Sequence, residues 1–402
     1  LAIAQPDPSG IDFVTVGDVG NAAWQGPGNN NNRGSVNYEF KIGRFEVTTA
    51  EWVEFMNAAF DRPANDRIPH VWTPFVWGAQ GTTPNTPGGL RWTVPAGNAM
   101  RGVGGLDWRT SAIYCNWLHN GKGLDRAAFM DGAYDVSTFG YSGGGSLFSD
   151  QLTRSPGARY WVPSLDEWMK AAFYDPDRNG DGQGGWWTYS NGSNQPFVYG
   201  PPGVLVNGQP ATANAGWSGD THPGFSPYAT LLGSYAETSA YGLYDLAGGA
   251  SEWTEHTFWI QGESLPRDRI FKGSAWNLAV GPLQDQARGG GGSAFPSFAG
   301  SDTGFRVAAA VPAPGGIALL VGWFVAVSGR RNDPARRPRP NPHTVNNRFS
   351  RRIPLAFALR WRTLWVARSL ERPPHAPGPS ASCIHLPLCP SAHLPICGRP
   401  GR

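Results

Sequence analysis

The stretch that does most to decide the fold is YGLYDLAGGASEWTEH, residues 241–256. It places the acidic residues Asp245 and Glu252 on either side of two glycines, Gly248 and Gly249. Glycine accepts backbone conformations that other residues avoid, so this run predicts a tight turn. Carboxylates beside inward-turned carbonyls are also what a Ca²⁺ site requires. The stretch therefore predicts either a metal-holding turn or a turn alone.

Composition around this stretch favours a fold with few helices. The 402 residues include 54 Gly, 36 Pro and 18 Trp, and 40% of the chain is hydrophobic. The hydrophobic share is enough for a sizeable core, whereas glycine and proline interrupt helices. We therefore expect a loop-rich α+β domain.

The charge is divided unevenly along the chain. From Arg330 onward there are 14 Arg, no Lys and two acids, Asp333 and Glu371, a net of +12. Subtraction from the totals leaves 33 − 14 = 19 basic and 30 − 2 = 28 acidic residues before Arg330, a net of −9. Phosphate contacts need clustered Lys and Arg, so this acidic body is not expected to bind nucleic acid.

Local patterns predict a first strand and a first helix near the start of the chain. The alternating apolar residues of IDFVTVGDVG, residues 11–20, indicate a strand entering a turn. After a second strand, Thr48 or Thr49 is a suitable cap for a helix in which Trp52, Phe55 and Met56 share one face.

Two further helices follow from the same kind of pattern. The segment GLDWRTSAIYCNWLHNGK, residues 105–122, has its apolar residues at helical spacing, which makes Cys115 a buried structural thiol rather than a reactive one. In PSLDEWMKAAF, residues 163–173, Ser164 and Glu167 form a capping box, and the apolar side chains after them face inward.

Six motifs in order carry a family resemblance. They are GRFEVTTAEWVEFMN, LDWRTSAIYCNWL, WVPSLDEWMKAAFYDP, YGLYDLAGGASEWTE, FKGSAWN and TGFRVAA, all between residues 43 and 309. Together they resemble the formylglycine-generating enzyme domain of the sulfatase-modifying-factor family. The resemblance implies one domain over residues 10–311, with the α+β fold of C-type lectins and little regular secondary structure.

The resemblance also bears on chemistry. Members that make formylglycine use two cysteines that bind copper, and Leu278 and Leu283 stand at those positions here. Leucine offers no thiolate, so neither copper nor this reaction is expected. Another branch of the superfamily binds non-haem iron through histidines, and the four histidines of the body lack helical i, i+3 or i, i+4 spacing: His70, His119, His222 and His256.

Carried over residue by residue, the family's calcium sites fall on the opening stretch. The resemblance implies a structural Ca²⁺ held by the side chains of Asp245 and Glu252 and the carbonyls of Gly248 and Ala250. A second family site implies the Asn214 side chain and the Ala215 carbonyl as ligands, with no clear acidic partner. The family's usual Asn and Trp are replaced by Gly249 and Ser251.

A rival calcium motif lies in DPDRNGDGQGGW, residues 175–186. Asp175, Asp177, Asn179 and Asp181 alternate as in the first half of an EF-hand loop, but Trp186 occupies the place of the bidentate Glu. A half-built calcium loop and a solvated acidic turn both remain open for this segment.

Both ends of the body resemble export signals. Ala2-Ile3-Ala4 fits the end of a secretory signal, and residues 1–9 are interpreted as its remnant and leader. VPAPGGIALLVGWFVAVSGRR, residues 311–331, resembles a PEP-CTERM sorting signal, which is assigned to 312–331. The resemblance implies processing by an exosortase, transient membrane association through 315–327 and a place at the cell surface of a Gram-negative-type envelope. The Pro/Arg-rich tail, 332–402, is interpreted as disordered or as a gene-model artefact.

Two functions of different classes fit these observations. One is an exported scaffold or binding module, stabilised by calcium, whose partner is a glycan or another envelope component. The other is an enzyme of the same superfamily with an unrecognised substrate. The aromatic run GGWWTYSNGSNQPFVYG, residues 184–200, is compatible with sugar stacking and with core packing.

Overall fold

The computed structural model describes residues 6–82, 90–142, 146–277 and 283–312. Most of the predicted sorting segment 312–331 and the whole tail 332–402 therefore lie outside the described residues, as does the segment 315–327 that is expected to meet a membrane. Of the helices that are described, none is both long enough and apolar enough to cross a bilayer.

Helices are short and few, as the composition predicts. The described residues contain four α-helices: α1 (Thr49–Ala59), α2 (Trp108–His119), α3 (Ala127–Met130) and α4 (Leu165–Phe173). Short 3₁₀ turns cover Ala64–Asp66, Val136–Thr138 and Pro227–Ala229. The three helices predicted from sequence are present, with Thr48 capping α1 and the Ser164–Glu167 box capping α4.

Short strands provide the rest of the regular structure. In chain order they are β1 (Phe13–Val16), β2 (Phe40–Gly43), β3 (Gln80–Gly81), β4 (Trp92–Thr93), β5 (Tyr141–Ser142), β6 (Leu147–Phe148), β7 (Tyr160–Trp161), β8 (Tyr174–Asp175), β9 (Gly185–Trp186), β10 (Leu205–Val206), β11 (Gln209–Pro210), β12 (Ser251–Phe258), β13 (Asp268–Lys272), β14 (Gly292–Ala294), β15 (Thr303–Gly304) and β16 (Ala308–Ala310). Most have only two or three residues, so loops carry much of the chain.

Two four-stranded sheets organise these strands. The first has the order β1-β2-β16-β7 and is antiparallel, so the last described strand lies beside the second. The second has the order β14-β13-β12-β15, with β12 and β15 parallel and the other neighbours antiparallel. Four two-stranded ribbons complete the described pairing. The predicted class, a single α+β domain with few helices, is confirmed.

An aromatic core joins the two long helices to the segment between β15 and β16. Trp52 and Phe55 of α1 lie 5.2 and 5.3 Å from Tyr114 of α2, measured between ring centroids. Phe305 joins them with its ring 5.7 Å from that of Tyr114. Cys115 is buried in the same core, as predicted, and burial raises the pKa of its thiol, which keeps it protonated and unreactive.

Helix α4 is buried nearly all round, which its sequence alone does not predict. Its Glu167 is 0% exposed and accepts hydrogen bonds at 2.9 Å from Arg154 and from Tyr38. Arg154 also reaches Glu255 at 3.0 Å, and Tyr134 donates to the other oxygen of Glu255 at 2.7 Å. We call Arg154, Glu167, Glu255, Tyr38 and Tyr134 the Arg154 cluster.

Candidate functional site

The opening stretch forms a tight turn that leads into β12. Asp245, Gly248 and Gly249 have φ angles of 56°, 86° and 71°, in the left-handed region where glycine is favoured. At Gly249 there is a second constraint, because an added Cβ would lie 2.5 Å from Oε1 of Glu46. The two glycines thus serve both the turn and the close approach of Glu46.

The strand-like segment around Asn214 lies against this turn. Asn214 pairs with Gly248 in a parallel bridge, and the amide of Gly249 donates to the Asn214 carbonyl at 3.0 Å. The side-chain amide of Asn214 donates to the Pro227 carbonyl at 3.0 Å. Ala215, the other predicted ligand of the second site, is buried next to it. Residues expected in two separate sites therefore meet at one place.

Glu252 lies at the start of β12 and is held by an arginine. Arg306 donates to its two oxygens through Nε at 2.5 Å and Nη2 at 2.6 Å, and Trp168 donates through Nε1 to Oε2 at 2.8 Å. Both members of the ion pair are buried, at 1% and 0% exposure. Most of the acceptor capacity of Glu252 is therefore already used within the protein.

Glu46 comes from the loop before α1 and completes the site. Its Oε1 accepts from the amide of Ala250 at 3.0 Å, whereas its Oε2 has no partner among the described residues. The Oδ1 of Asn214 is buried and without a described partner in the same way. A cavity of about 10 Å³ is lined by Glu46, Asn214 and Asp245. We call Glu46, Asn214, Asp245, Glu252 and Arg306 the acid centre.

The electrostatics of the acid centre favour an added positive charge. Burial, reinforced by the neighbouring Glu252, raises the pKa of Glu46 well above its usual range. Burial also raises the pKa of Asp245 to about 6, although its Oδ2 accepts from the amide of Gly233 at 2.7 Å. One guanidinium, that of Arg306, is shared among three carboxylates. When all three carboxylates are ionised, the negative charge of the acid centre therefore exceeds its positive charge.

The centre fits a small cation that takes part of its ligands from amide and carbonyl oxygens. No three His, Cys, Asp or Glu side chains gather into a metal-binding group anywhere in the described ranges. Calcium, however, accepts carboxylate, amide and backbone oxygens together. The unpaired oxygens of Glu46 and Asn214, with the carboxylate of Asp245, supply such a set, and the cavity is the size of one water.

The remaining candidate residues lie elsewhere. Leu283 is exposed, and Leu278 lies outside the described residues. In the rival loop, Asp175 and Asp177 accept hydrogen bonds at 2.9 and 2.7 Å from backbone amides of the loop itself. These carboxylates cap their own turn, which is the arrangement that a solvated acidic loop requires.

The aromatic run of residues 184–200 contributes mainly to packing. Tyr189 and Phe197 are buried with ring centroids 6.0 Å apart, and they form a second, smaller core with Ala213 and Ala247. Ala247 belongs to the opening stretch, so this core packs directly against the turn. The run therefore helps to position the acid centre.

Glu46 and Arg306 were not among the residues predicted for the site. Each stands directly between two apolar residues, Glu46 between Phe45 and Val47 and Arg306 between Phe305 and Val307, and a charge between apolar neighbours is a signal of a buried polar role. Glu46 lies about two hundred residues before the turn in sequence, and its amide partner Ala250 is separated from it by 204 positions. Folding alone brings them together.

The chain belongs to the family described as sulfatase-modifying factor enzyme 1-like, whose model matches residues 14–311. The match spans the two main sheets, the four helices and the acid centre. It confirms the family resemblance seen in the six sequence motifs. No curated protein gives a significant match.

Several solved structures are similar to this chain. The crystal structure of CarF has 21% sequence identity and a TM-score of 0.44, covering 75% of this chain and 98% of its own. Treponema denticola variable protein 1 has 16% identity and a TM-score of 0.40, with 74% and 95% covered. PvdO from Pseudomonas aeruginosa has 17% identity and a TM-score of 0.36, with 75% and 92% covered.

Proposed function

We propose that this protein is an exported binding or scaffold module of the sulfatase-modifying-factor family, stabilised by Ca²⁺ at the acid centre. The proposal is carried by two buried oxygens, on Glu46 and Asn214, that have no partner in the part of the chain that the structure describes and that lie beside the carboxylate of Asp245. Buried polar atoms in folded proteins are nearly always paired, so this cavity, which the Nε1 of Trp276 also lines without a described partner, is a place where a water or an ion is expected.

Glu46, Asn214 and Asp245 supply side-chain oxygens to the cation, and the carbonyls of Gly248 and Ala250 complete the set. Glu252 supports the site mainly by holding the guanidinium of Arg306 in place. One acceptor position of its carboxylate is left for a direct contact with the cation. A bound cation neutralises carboxylates that otherwise repel one another in a medium of low dielectric constant. Its role is structural, because it locks the turn to the loop that precedes α1.

Formylglycine formation is not part of the proposed function. Leu278 and Leu283 replace the cysteines that the reaction requires, so this chain lacks the thiolates for a soft metal. The proposed activity is binding at the cell envelope, with a glycan or another envelope component as partner.

Thermal unfolding of the full-length protein with calcium and with EDTA tests the cation site. A ligand that binds only the folded state adds about 2.7 kcal/mol at a hundredfold excess over its dissociation constant. Calcium is therefore expected to raise Tm. The variant Glu46→Gln keeps an acceptor for the Ala250 amide and removes a buried charge, so in EDTA it should be at least as stable as the wild type, yet it should gain little from calcium.

The double variant Asp177→Asn, Asp181→Asn is the matched control in the rival loop, and it should keep the calcium response. If this pair removes the response and Glu46→Gln does not, the cation binds in residues 175–181. A wild-type Tm that calcium and EDTA leave unchanged would contradict the proposal for both places.

Export is tested separately, because it depends on the segment 312–331. In a Gram-negative host that has an exosortase, we expect the processed body in the envelope or the medium. Replacing Arg330 and Arg331 by Ala should cause unprocessed protein to accumulate, whereas the same change at Arg336 and Arg337 should not. Recovery of the wild-type chain entirely from the cytoplasm would contradict the proposal.

A further inference from the structure

A second cleft opens on a part of the domain that shares no residue with the acid centre. Its volume is about 460 Å³, within the range of small-molecule sites. The loop at Asn29 and Arg33 forms one wall, and the outer part of β12, with His256 and Phe258, forms another. Ser293 of β14 closes it. We call this space the Arg33 cleft.

The charges at the Arg33 cleft are balanced. Arg33 donates through Nη1 to Asp166 at 3.1 Å, and its Nη2 lies 2.6 Å from Nε2 of His256. Burial, followed by the adjacent Arg33, lowers the pKa of His256 to about 4, so the imidazole is neutral at physiological pH and accepts from the guanidinium. An anionic ligand would have to compete with Asp166 for the arginine. A neutral ligand meets no such competition.

Polar and apolar groups divide the walls of the cleft. The guanidinium of Arg33 keeps N–H groups beyond those that meet Asp166 and His256, and the hydroxyl of Ser293, which donates to Asp268 at 3.0 Å, can still accept a hydrogen bond. The amide side chain of Asn29 is exposed and makes no hydrogen bond with the described residues. Phe258, which is 44% exposed, adds an aromatic face, and Leu165 and Ile270 add aliphatic surface beside it.

This combination matches the surface of a sugar ring. A pyranose carries hydroxyls around its edge and an apolar C–H face, so it needs several planar polar partners and one aromatic platform. A purely apolar ligand would bury the amide of Asn29 without a hydrogen-bond partner among the described residues. We propose that the Arg33 cleft binds a neutral saccharide, with Phe258 stacking against its C–H face and Asn29 and Arg33 binding its hydroxyls.

The proposal deepens the function proposed above, because it names a partner class and a place for it. It rests on the protein being a binding module and not on the cation, since the two places share no residue. The calcium test and the saccharide test therefore fail independently. Loss of the calcium response leaves the saccharide prediction unchanged, and the reverse also holds.

Titration calorimetry on the full-length protein tests the cleft. The neutral probes are maltotriose, cellotriose and triacetylchitotriose, and the acidic probe is a trigalacturonate. At least one neutral probe is expected to bind at micromolar to millimolar concentration, more tightly than the acidic probe. Phe258→Ala should weaken binding about tenfold, which corresponds to about 1.4 kcal/mol and to the upper range for an aromatic contact.

Asn29→Ala and Arg33→Lys should each weaken binding as well, because they remove an amide or the planar fork of donors. Phe295→Ala is the control, since Phe295 is also exposed, at 48%, and does not line the cleft. Tm measurements establish that each variant is folded. Absence of binding by all three neutral probes, tighter binding of the acidic probe, or wild-type affinity in both Phe258→Ala and Asn29→Ala would each overturn the proposal.

Discussion

The Arg154 cluster and the acid centre both place an arginine beside buried carboxylates, but they differ in how completely those carboxylates are hydrogen-bonded. Each brings one arginine to buried glutamates within the same domain. Arg154 reaches both of its carboxylates, at 2.9 Å for Glu167 and 3.0 Å for Glu255. Arg306 instead donates twice to Glu252, and its remaining N–H groups go to backbone carbonyls, including that of Gly43 at 3.0 Å.

The difference lies in which carboxylates the protein itself satisfies. In the Arg154 cluster, tyrosine hydroxyls and backbone amides add to the arginine, so Glu167 and Glu255 are well supplied with donors. In the acid centre, Glu46 keeps one oxygen without a described partner. A satisfied buried network serves the fold, whereas an unsatisfied one is a place where an external ligand is expected.

Removing the arginine of the acid centre is expected to have the largest effect. Arg306→Met leaves Glu252 buried and unpaired, which typically costs about 3–5 kcal/mol of the free energy of unfolding. Arg154→Met is the matched change in the other cluster. It should cost less, because the Arg154 side chain is 20% exposed and water reaches the vacated position. Urea unfolding of both variants measures the two losses of unfolding free energy. An equal or larger loss in Arg154→Met would contradict the expected difference between the clusters.

A change at Gly249 is expected to lower the free energy of unfolding by an intermediate amount. It also tests whether Glu46 is what distinguishes the acid centre from the Arg154 cluster. Gly249→Ala places a Cβ at φ 71°, which costs roughly 1–2 kcal/mol, and also against Oε1 of Glu46. Gly208→Ala is the control, because Gly208 has φ 81° and no atom within 4 Å of the added Cβ.

Both glycine variants should lose stability in urea unfolding, with the larger loss at Gly249. That variant should also lose most of the calcium-dependent rise in Tm, whereas the Gly208 variant should keep it. An unchanged calcium response in Gly249→Ala would show that Glu46 does not take part in holding the cation.

The smallest expected effect is a pH dependence within the Arg154 cluster. Burial raises the pKa of Glu255 to about 7, against the partial opposition of Arg154. Because this folded-state pKa lies above that of an unfolded glutamate, the contribution of Glu255 is present at acidic pH and is lost as the pH rises through about 7. Glu255→Gln should therefore flatten the decline in unfolding free energy between pH 5 and pH 8.

Glu263→Gln makes the same chemical change in a partly exposed pair with Arg267 and serves as the control. It should leave the slope between pH 5 and pH 8 as it is in the wild type. If Glu255→Gln has the wild-type slope as well, Glu255 is ionised throughout this range and the Arg154 cluster is an ordinary ion pair.

Local patterns in the sequence were sufficient for the three longer helices and for much of the core, whereas the short helix α3 was not predicted. The capping box at Ser164, the cap at Thr48 and the buried Cys115 depend on neighbours within a few positions, and all three are present. The cap of α2, Asp107, was not predicted, although its side chain accepts from the Thr110 amide at 2.7 Å. The family fold followed from the order of the motifs.

The site itself was only partly accessible from sequence. Asp245, Gly248 and Asn214 could be named, because they stand in recognisable motifs, and they do lie together. Glu46 could not be named, because its contact with the turn joins positions 204 residues apart in sequence. The ion pair of Glu252 with Arg306 was hidden for the same reason, and it changes the expected contribution of Glu252 to the site.

The position of β16 has a consequence for how the protein is made. This strand lies in the interior of the first sheet, between β2 and β7, although Ala308–Ala310 is the last strand of the domain to be synthesised. A nascent chain that ends before Ala308 therefore has an open gap between its first strands and β7. Such long-range pairing is slow to form, so the first sheet can be completed only after translation has passed Ala310.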